Sequence, residues 1–333
     1  MSYLAVLAVS LFINFVIILI AKKCKIMMDC ENSCKPQRFH LTATPRVGGI
    51  SIMSAALFML VDPLGRMILL ASLPVFFIGL FEDLSGAVSP KIRLLFMTAG
   101  AVIAVMALDV LITQIDFIKL PYYFAMAFTL FSLVGVTNSI NIIDGLHGLA
   151  SGASIVALFA LFTVAYSVGD YQLGRLIIIM TFAVCGFFIW VYPWGKIFLG
   201  DGGAYFLGFV LGLFSILLVN RNENVSVWFP LAVLIFPIWE VIFSIFRRKV
   251  IRKGDALSAD RLHLHSLLYK RTKFSNSVAS GILLLIYITY QLLTVMFYKS
   301  SPVLVLFIIV FIICYHISYI KLVRFSFSVK STK

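Results

Sequence analysis

Residues 198–219 read FLGDGGAYFLGFVLGLFSILLV, a glycine-rich turn around one carboxylate, Asp201, opening an uncharged apolar run. A helix needs about 20 apolar residues to cross the hydrocarbon core of a bilayer. A run this long, with no period-two alternation, reads as helix rather than barrel strand. Comparable segments lie on both sides of it: roughly 3–21, 47–62, 66–81, 93–112, 121–137, 149–167, 174–192, 227–246, 278–297 and 302–320, besides 203–219 itself. Only Asp62-Pro63-Leu64-Gly65-Arg66 divides the second from the third. Hydrophobic residues make up 62% of the 333 and charged residues 12%, with 31 phenylalanines. A soluble domain could not bury so much apolar surface, whereas lipid accepts it. The expected fold is all-α, a polytopic integral membrane protein of about 11 transmembrane helices. No internal repeat is visible, and residues 1–333 read as a single membrane-embedded domain whose chemistry sits in its loops.

The first apolar segment has no basic residue ahead of it and is followed by Lys22, Lys23 and Lys25, so it reads as a span rather than a cleaved signal. That order places the N-terminus outside, and eleven crossings put the C-terminus in the cytosol. The stretches then expected on the cytosolic side are 22–46, 82–93, 138–148, 193–202, 247–277 and 321–333. They hold 22 of the 27 Lys and Arg, and each of the five external stretches holds one. This is a positive-inside distribution. The net charge of +13 therefore reads as topology and attraction to anionic membrane lipid. No basic stripe is interleaved with aromatics, and nucleic acid is not an expected partner. Cys24, Cys30 and Cys34 lack zinc-finger spacing and read, with Cys185 and Cys314, as free thiols.

Acidic residues number only 14, and four of them fall in three polar stretches at segment ends on one predicted side. Glu82-Asp83 ends the third segment. Neighbouring residues on a helix face different ways, so the two acids point to different partners. At a helix C-terminus both oppose the dipole, and a cation or basic group would relieve that. Asn138-x-x-Asn141-x-x-Asp144 places two amides and a carboxylate along one helical face or turn. Such groups suit nucleotide recognition or the oxygen shell of a hard cation, although a polar inter-helix turn would look similar. Asp201 begins a helix, where a carboxylate is also an ordinary cap. The glycines around it are expected to let a bulky ligand approach free backbone amides that can hold phosphate. In the loop before the second segment, Arg38, His40 and Arg46 suit anionic substrates or act as topology anchors. Gly48-Gly49 lets a helix start close to a neighbouring backbone. His263 and His265 alternate, so an extended strand would aim both one way, toward a metal or a diphosphate. His147 reads as a hydrogen-bonding loop residue.

Taken in order, Thr44-Pro45-x-x-Gly48-Gly49, the acidic pair, Asn138-x-x-Asn141-x-x-Asp144-Gly145, Phe198-Leu199-Gly200-Asp201-Gly202-Gly203 and His263-x-His265 form a set that resembles the polyprenyl-phosphate N-acetylhexosamine-1-phosphate transferases. That family includes the phospho-MurNAc-pentapeptide translocase and the GlcNAc-1-phosphate transferases that begin O-antigen and teichoic acid synthesis. The resemblance covers about residues 35–270. It implies transfer of an N-acetylhexosamine-1-phosphate from a UDP-N-acetylhexosamine to undecaprenyl phosphate, with release of UMP. Magnesium is the implied cofactor, with manganese able to stand in. It also implies a bacterial plasma (inner) membrane protein with its active site on the cytosolic face, for which a homodimer is compatible.

Position by position, the resemblance makes Asp201 the metal aspartate, with Asn141 where metal and nucleotide are held. Asp144 becomes a nucleotide-side carboxylate, Asp83 the acid at the lipid phosphate, and His263 and His265 neighbours of the diphosphate. Glu82, Asn138, Arg38, His40, Arg46 and Arg261 are expected around the substrates. Two positions depart from the family pattern: Glu82 replaces its usual Asp, and His147 stands where Asp is common. Both look closer to the branch that starts O-antigen or capsule chains. The rival class is a secondary transporter of a small anionic solute, which would carry ionisable residues near the midplane. Here the acids cluster on one side instead.

Overall fold

A computed structural model describes residues 2–24, 44–251, 262–272 and 274–330 of the chain. Arg38, His40 and Arg261 lie outside the described residues, as do Cys30 and Cys34. The elements in order are α1 (Tyr3–Cys24), α2 (Gly49–Ala56) running into a 3-10 turn over Leu57–Val61, α3 (Pro63–Ser85), α4 (Pro90–Leu108), α5 (Tyr122–Ile143), α6 (Leu149–Ser167), α7 (Tyr171–Val191) and α8 (Gly200–Arg221). Then come α9 (Phe229–Val233), α10 (Ile235–Phe246) with a π-turn over Arg247–Ile251, α11 (Leu264–Thr272), α12 (Asn276–Met296) and α13 (Ser301–Lys330). A two-residue antiparallel ribbon, β1 (Gln114–Ile115) with β2 (Ile118–Lys119), is the one sheet among the described residues. The protein is an all-α polytopic membrane protein. Among the described residues, nine helices are long and apolar enough to cross a bilayer.

The eleven expected windows all fall on helix, but two are not continuous spans. The 47–62 window is α2 plus its 3-10 turn, closed by Asp62-Pro63, where Asp62 caps α3 through Leu64 N–H (2.9 Å). The 227–246 window breaks at Leu234 into α9 and α10. Pro237 lacks the N–H that would bond the Val233 carbonyl four residues earlier. That carbonyl instead accepts from Gln291 Nε2 (2.7 Å) and from the Tyr287 hydroxyl, both on α12. In a bilayer a freed backbone group must be satisfied in this way by a neighbouring helix.

α8 is the axis of the bundle. Its residues are buried from Gly200 through Leu218, because it is apolar all round and carries glycines where other helices cross. A side chain at Gly49 would stand 2.3 Å from Gly203 N, one at Gly79 2.6 Å from Gly202 Cα, and one at Gly208 2.8 Å from Thr137 Cα. Small residues thus bring α2, α3 and α5 against α8 at backbone distance, the packing that dispersion favours between helices in lipid.

Polar loops gather at the two ends of the bundle. At one end Asp170 holds Arg221 through two hydrogen bonds (2.7 and 3.0 Å), Gln172 reaches Asp62 (2.9 Å), and Asp116 accepts from Trp228 Nε1 (2.6 Å) and Ser301 (2.8 Å). At the other end lie the C-termini of α3 and α5, the N-termini of α4 and α8, and the described part of the segment before α12.

Candidate active site

The loop ahead of α2 and the loop ahead of α8 pair edge to edge. Phe198 N–H donates to the Pro45 carbonyl (2.8 Å), Gly48 N–H to that of Phe198 (3.0 Å) and Gly49 N–H to that of Leu199 (2.9 Å). This pairing seats Arg46 beside Asp201, with Nη2 3.5 Å from Oδ1. From the first turn of α4, Arg93 Nη1 reaches Asp201 Oδ2 (3.2 Å) and the Tyr205 hydroxyl (3.1 Å). Asn141 Nδ2 donates to the same hydroxyl (3.3 Å) from α5, and Tyr205 O–H in turn reaches Asp201 Oδ2 (3.3 Å). One largely buried carboxylate therefore organises side chains from α4, α5, α8 and the first described loop.

Asp83 is turned toward the start of α8. Its Oδ1 accepts Asp201 N–H (2.8 Å) and its Oδ2 accepts Gly202 N–H (2.9 Å). The acid that ends α3 thus caps α8 from outside. The dipole penalty expected at the α3 C-terminus is offset by the positive end of a second helix. Two expectations are corrected here. The amides of Asp201 and Gly202 are not free to hold phosphate, since Asp83 occupies them. The glycines around Asp201 serve backbone packing against α2 and α3 rather than the approach of a bulky ligand. Glu82 points elsewhere, as the spacing required, and its Oε2 accepts Val88 N–H (2.8 Å), closing the α3–α4 turn.

Asn138 does not join the cluster. Its amide nitrogen donates to the Val134 carbonyl (2.9 Å) and contacts Met97 Sδ (3.3 Å) on α4. Asp144 caps α5. Burial pushes its carboxyl up to about 7, the Arg46 charge pulls the other way, and Asp201 adds to the rise. His147 is a loop residue, as read: Nδ1 lies 3.2 Å from the Pro193 carbonyl, which can only accept, so Nδ1 carries a proton. Burial lowers its pKa, against that hydrogen bond. Its backbone N–H donates to Asn276 (2.5 Å).

His263 and His265 do stand together, although on the start of α11 rather than on a strand. Their rings stack, with centroids 5.4 Å apart and planes 11° from parallel. Both face Glu240 of α10, with His263 Nδ1 3.1 Å from Oε2 and His265 Nδ1 3.5 Å from Oε1. A side chain on Gly145 would stand 2.7 Å from His265 Nε2, so this pair abuts the Asn141–Asp144 turn.

Three partners escaped the sequence reading. Arg93 is one of the basic residues in the 82–93 stretch, Tyr205 falls in the apolar run 203–219, and Glu240 falls in the 227–246 window. Only Glu240 carried a signal, since a lone carboxylate in an apolar helix requires a partner. Among the described residues no group of three or more His, Cys, Asp or Glu gathers as a metal-binding cluster. Magnesium does not require one, because it is commonly held by one or two carboxylates together with substrate phosphates and water. The oxygen donors of Asp201 and Asn141 fit that pattern.

Residues 66–219 match the family model described as glycosyl transferase family 4. The chain is 29% identical to an undecaprenyl-phosphate alpha-N-acetylglucosaminyl 1-phosphate transferase of Thermotoga maritima, over 92% of each chain. It is 26% identical to a probable undecaprenyl-phosphate N-acetylglucosaminyl 1-phosphate transferase of Bacillus subtilis, over 78% of this chain and 75% of the relative. With the ordered motifs, the all-α membrane fold and the Asp201 cluster, these matches support the polyprenyl-phosphate N-acetylhexosamine-1-phosphate transferase family for this chain.

Proposed function

We propose that the protein transfers an N-acetylhexosamine-1-phosphate from a UDP-sugar to undecaprenyl phosphate on the cytosolic face of a bacterial plasma membrane. In this reaction an oxygen of the lipid phosphate bonds to the sugar-side phosphorus of the diphosphate, the P–O–P bridge breaks, and UMP leaves. The observation that carries the reading is Asp201, a carboxylate held between Arg46 and Arg93 at the bundle end where the acidic and histidine motifs converge. The names of the two relatives support the lipid acceptor and an N-acetylglucosamine donor. Glu82 and His147 support a place at the start of O-antigen, capsule or another envelope glycan.

Two anions must meet for this chemistry, and the arrangement addresses their repulsion. Arg46 and Arg93 supply fixed positive charge on either side of Asp201, where charge develops on the departing phosphate. Asp83 fixes the first turn of α8, and with it the direction of Asp201. Tyr205 couples Arg93 and Asn141 to the same carboxylate. The lipid phosphate has a second pKa of about 6, like other monoesters, and is largely dianionic at neutral pH. A strong base is therefore unnecessary, and Asp83 acts as a positioning residue. Magnesium, held by Asp201 and Asn141, would screen the diphosphate and stabilise the leaving UMP.

The test is UMP release from UDP-N-acetylhexosamines by purified protein with undecaprenyl phosphate. Asp201→Asn is expected to abolish release while the protein still inserts and extracts normally. Near-normal turnover in that variant, with unchanged magnesium dependence, would reduce Asp201 to a structural residue and overturn the reading.

A further inference from the structure

The α10–α11 acid–histidine cluster lies outside the family-model match and has its own support. Glu240, His263 and His265 are all buried. A small apolar core of Phe243, Leu264, Leu267, Tyr315 and Tyr319 packs beside them, separate from the main core. Arg247, two turns beyond Glu240, donates to the Leu262 carbonyl (2.6 Å) and to the Tyr319 hydroxyl (3.0 Å). The backbone entering His263 is thereby clamped to α10 and α13. A carboxylate enclosed in this way is retained at a desolvation cost unless its oxygens are well partnered, and its nearest partners are the two imidazoles.

His263 Nδ1 hydrogen-bonds Glu240 Oε2, whereas His265 Nδ1 faces Oε1 at 3.5 Å without a hydrogen bond. An ionised carboxylate only accepts, so N–H rather than a lone pair is favoured at Nδ1 of each ring. The rings are nearly parallel, and His265 Nε2 lies against Gly145. We infer that Glu240 is a positioning residue: its two oxygens favour the Nδ1–H tautomers of His263 and His265 and hold the His265 ring against the Asp144–Gly145 turn. Carboxylates that accept from the far ring nitrogen of metal-binding histidines orient them by the same logic. The other titratable or charged groups near the cluster are Lys270 on α11, Tyr315 on α13 and Arg247. Burial lowers the His265 pKa, and the Glu240 charge opposes that shift.

The role in turnover rests on the proposed transfer reaction, whereas the tautomers do not. The chain has five histidines, few enough for nitrogen-15 histidine spectra of the full-length protein in nanodiscs, with H263N and H265N providing the assignments. Wild type is expected to show both rings protonated at Nδ1, and E240Q to lose that tautomer on at least one ring. E240D keeps the charge with a shorter reach and is expected to retain it on one ring or both. UMP release by E240Q should fall roughly 10- to 100-fold in kcat, with partial recovery in E240D. Unchanged tautomers and unchanged kcat in E240Q would overturn the inference. Should wild type release no UMP while the tautomers still shift with Glu240, the transfer reading fails and the positioning role stands.

Discussion

At Gly200 the backbone has φ +75°, and a side chain would stand 2.2 Å from the Arg46 carbonyl oxygen and 2.5 Å from Asp83 Oδ2. The left-handed conformation costs an ordinary residue about 1–2 kcal/mol, and the two contacts add to it by pushing apart the groups that flank Asp201. Gly86 provides the control. Its φ is +64°, it caps α3, and nothing lies within 4 Å of its missing side chain. Gly86→Ala is expected to lower thermal stability modestly and leave UMP release near normal. Gly200→Ala should lower stability further and reduce turnover at least tenfold. Equal behaviour of the two, measured by detergent thermal melts and UMP release, would show that the close approach of Arg46 and Asp83 has no bearing on the site.

Helix by helix, much of the architecture was visible in the chain, for a physical reason: lipid selects long apolar runs, and hydropathy windows detect them. Such windows average over local breaks, so 227–246 read as one span although Pro237 divides it. The side-chain network was less legible because its partners are remote in sequence. Asp83 caps a helix that begins 117 residues later, and Glu240 meets histidines on another element. Spacing within a motif showed that Glu82 and Asp83 diverge but not where each goes. It also grouped Asn138 with Asn141, although α4 draws Asn138 aside. The α9–α10 break makes its own prediction. In Gln291→Leu the Val233 carbonyl keeps only Tyr287, and losing one buried hydrogen bond in a membrane protein costs about 1–2 kcal/mol. Thermal stability should fall accordingly, with UMP release at low temperature unchanged, since the break lies away from Asp201. A melt identical to wild type would mean that Tyr287 alone satisfies the break.

For the molecule as a whole, the two polar ends are the feature that function depends on. One end carries Asp83, Asp201, Asn141, Asp144 and the Glu240 cluster, and the other carries the Asp170–Arg221 brace and Asp116 with its partners. Loops that strict alternation of crossings assigns to one side do meet at one end. The two broken segments, α2 with its 3-10 turn and α9 with α10, each count as a passage in that arrangement. The 22-to-5 distribution of basic residues predicts the orientation of the bundle, with the Asp201 end toward the cytosol. A nucleotide sugar cannot cross lipid unaided, so transfer requires this orientation. Exposed positions at each end make it measurable in intact cells: Asn224 lies beyond α8 and Ala87 in the α3–α4 turn. With the native cysteines replaced, Asn224→Cys should react with a membrane-impermeant thiol reagent, and Ala87→Cys only after the membrane is opened. The opposite pattern would turn Asp201 away from any cytosolic donor, and the transfer reading would have to be given up.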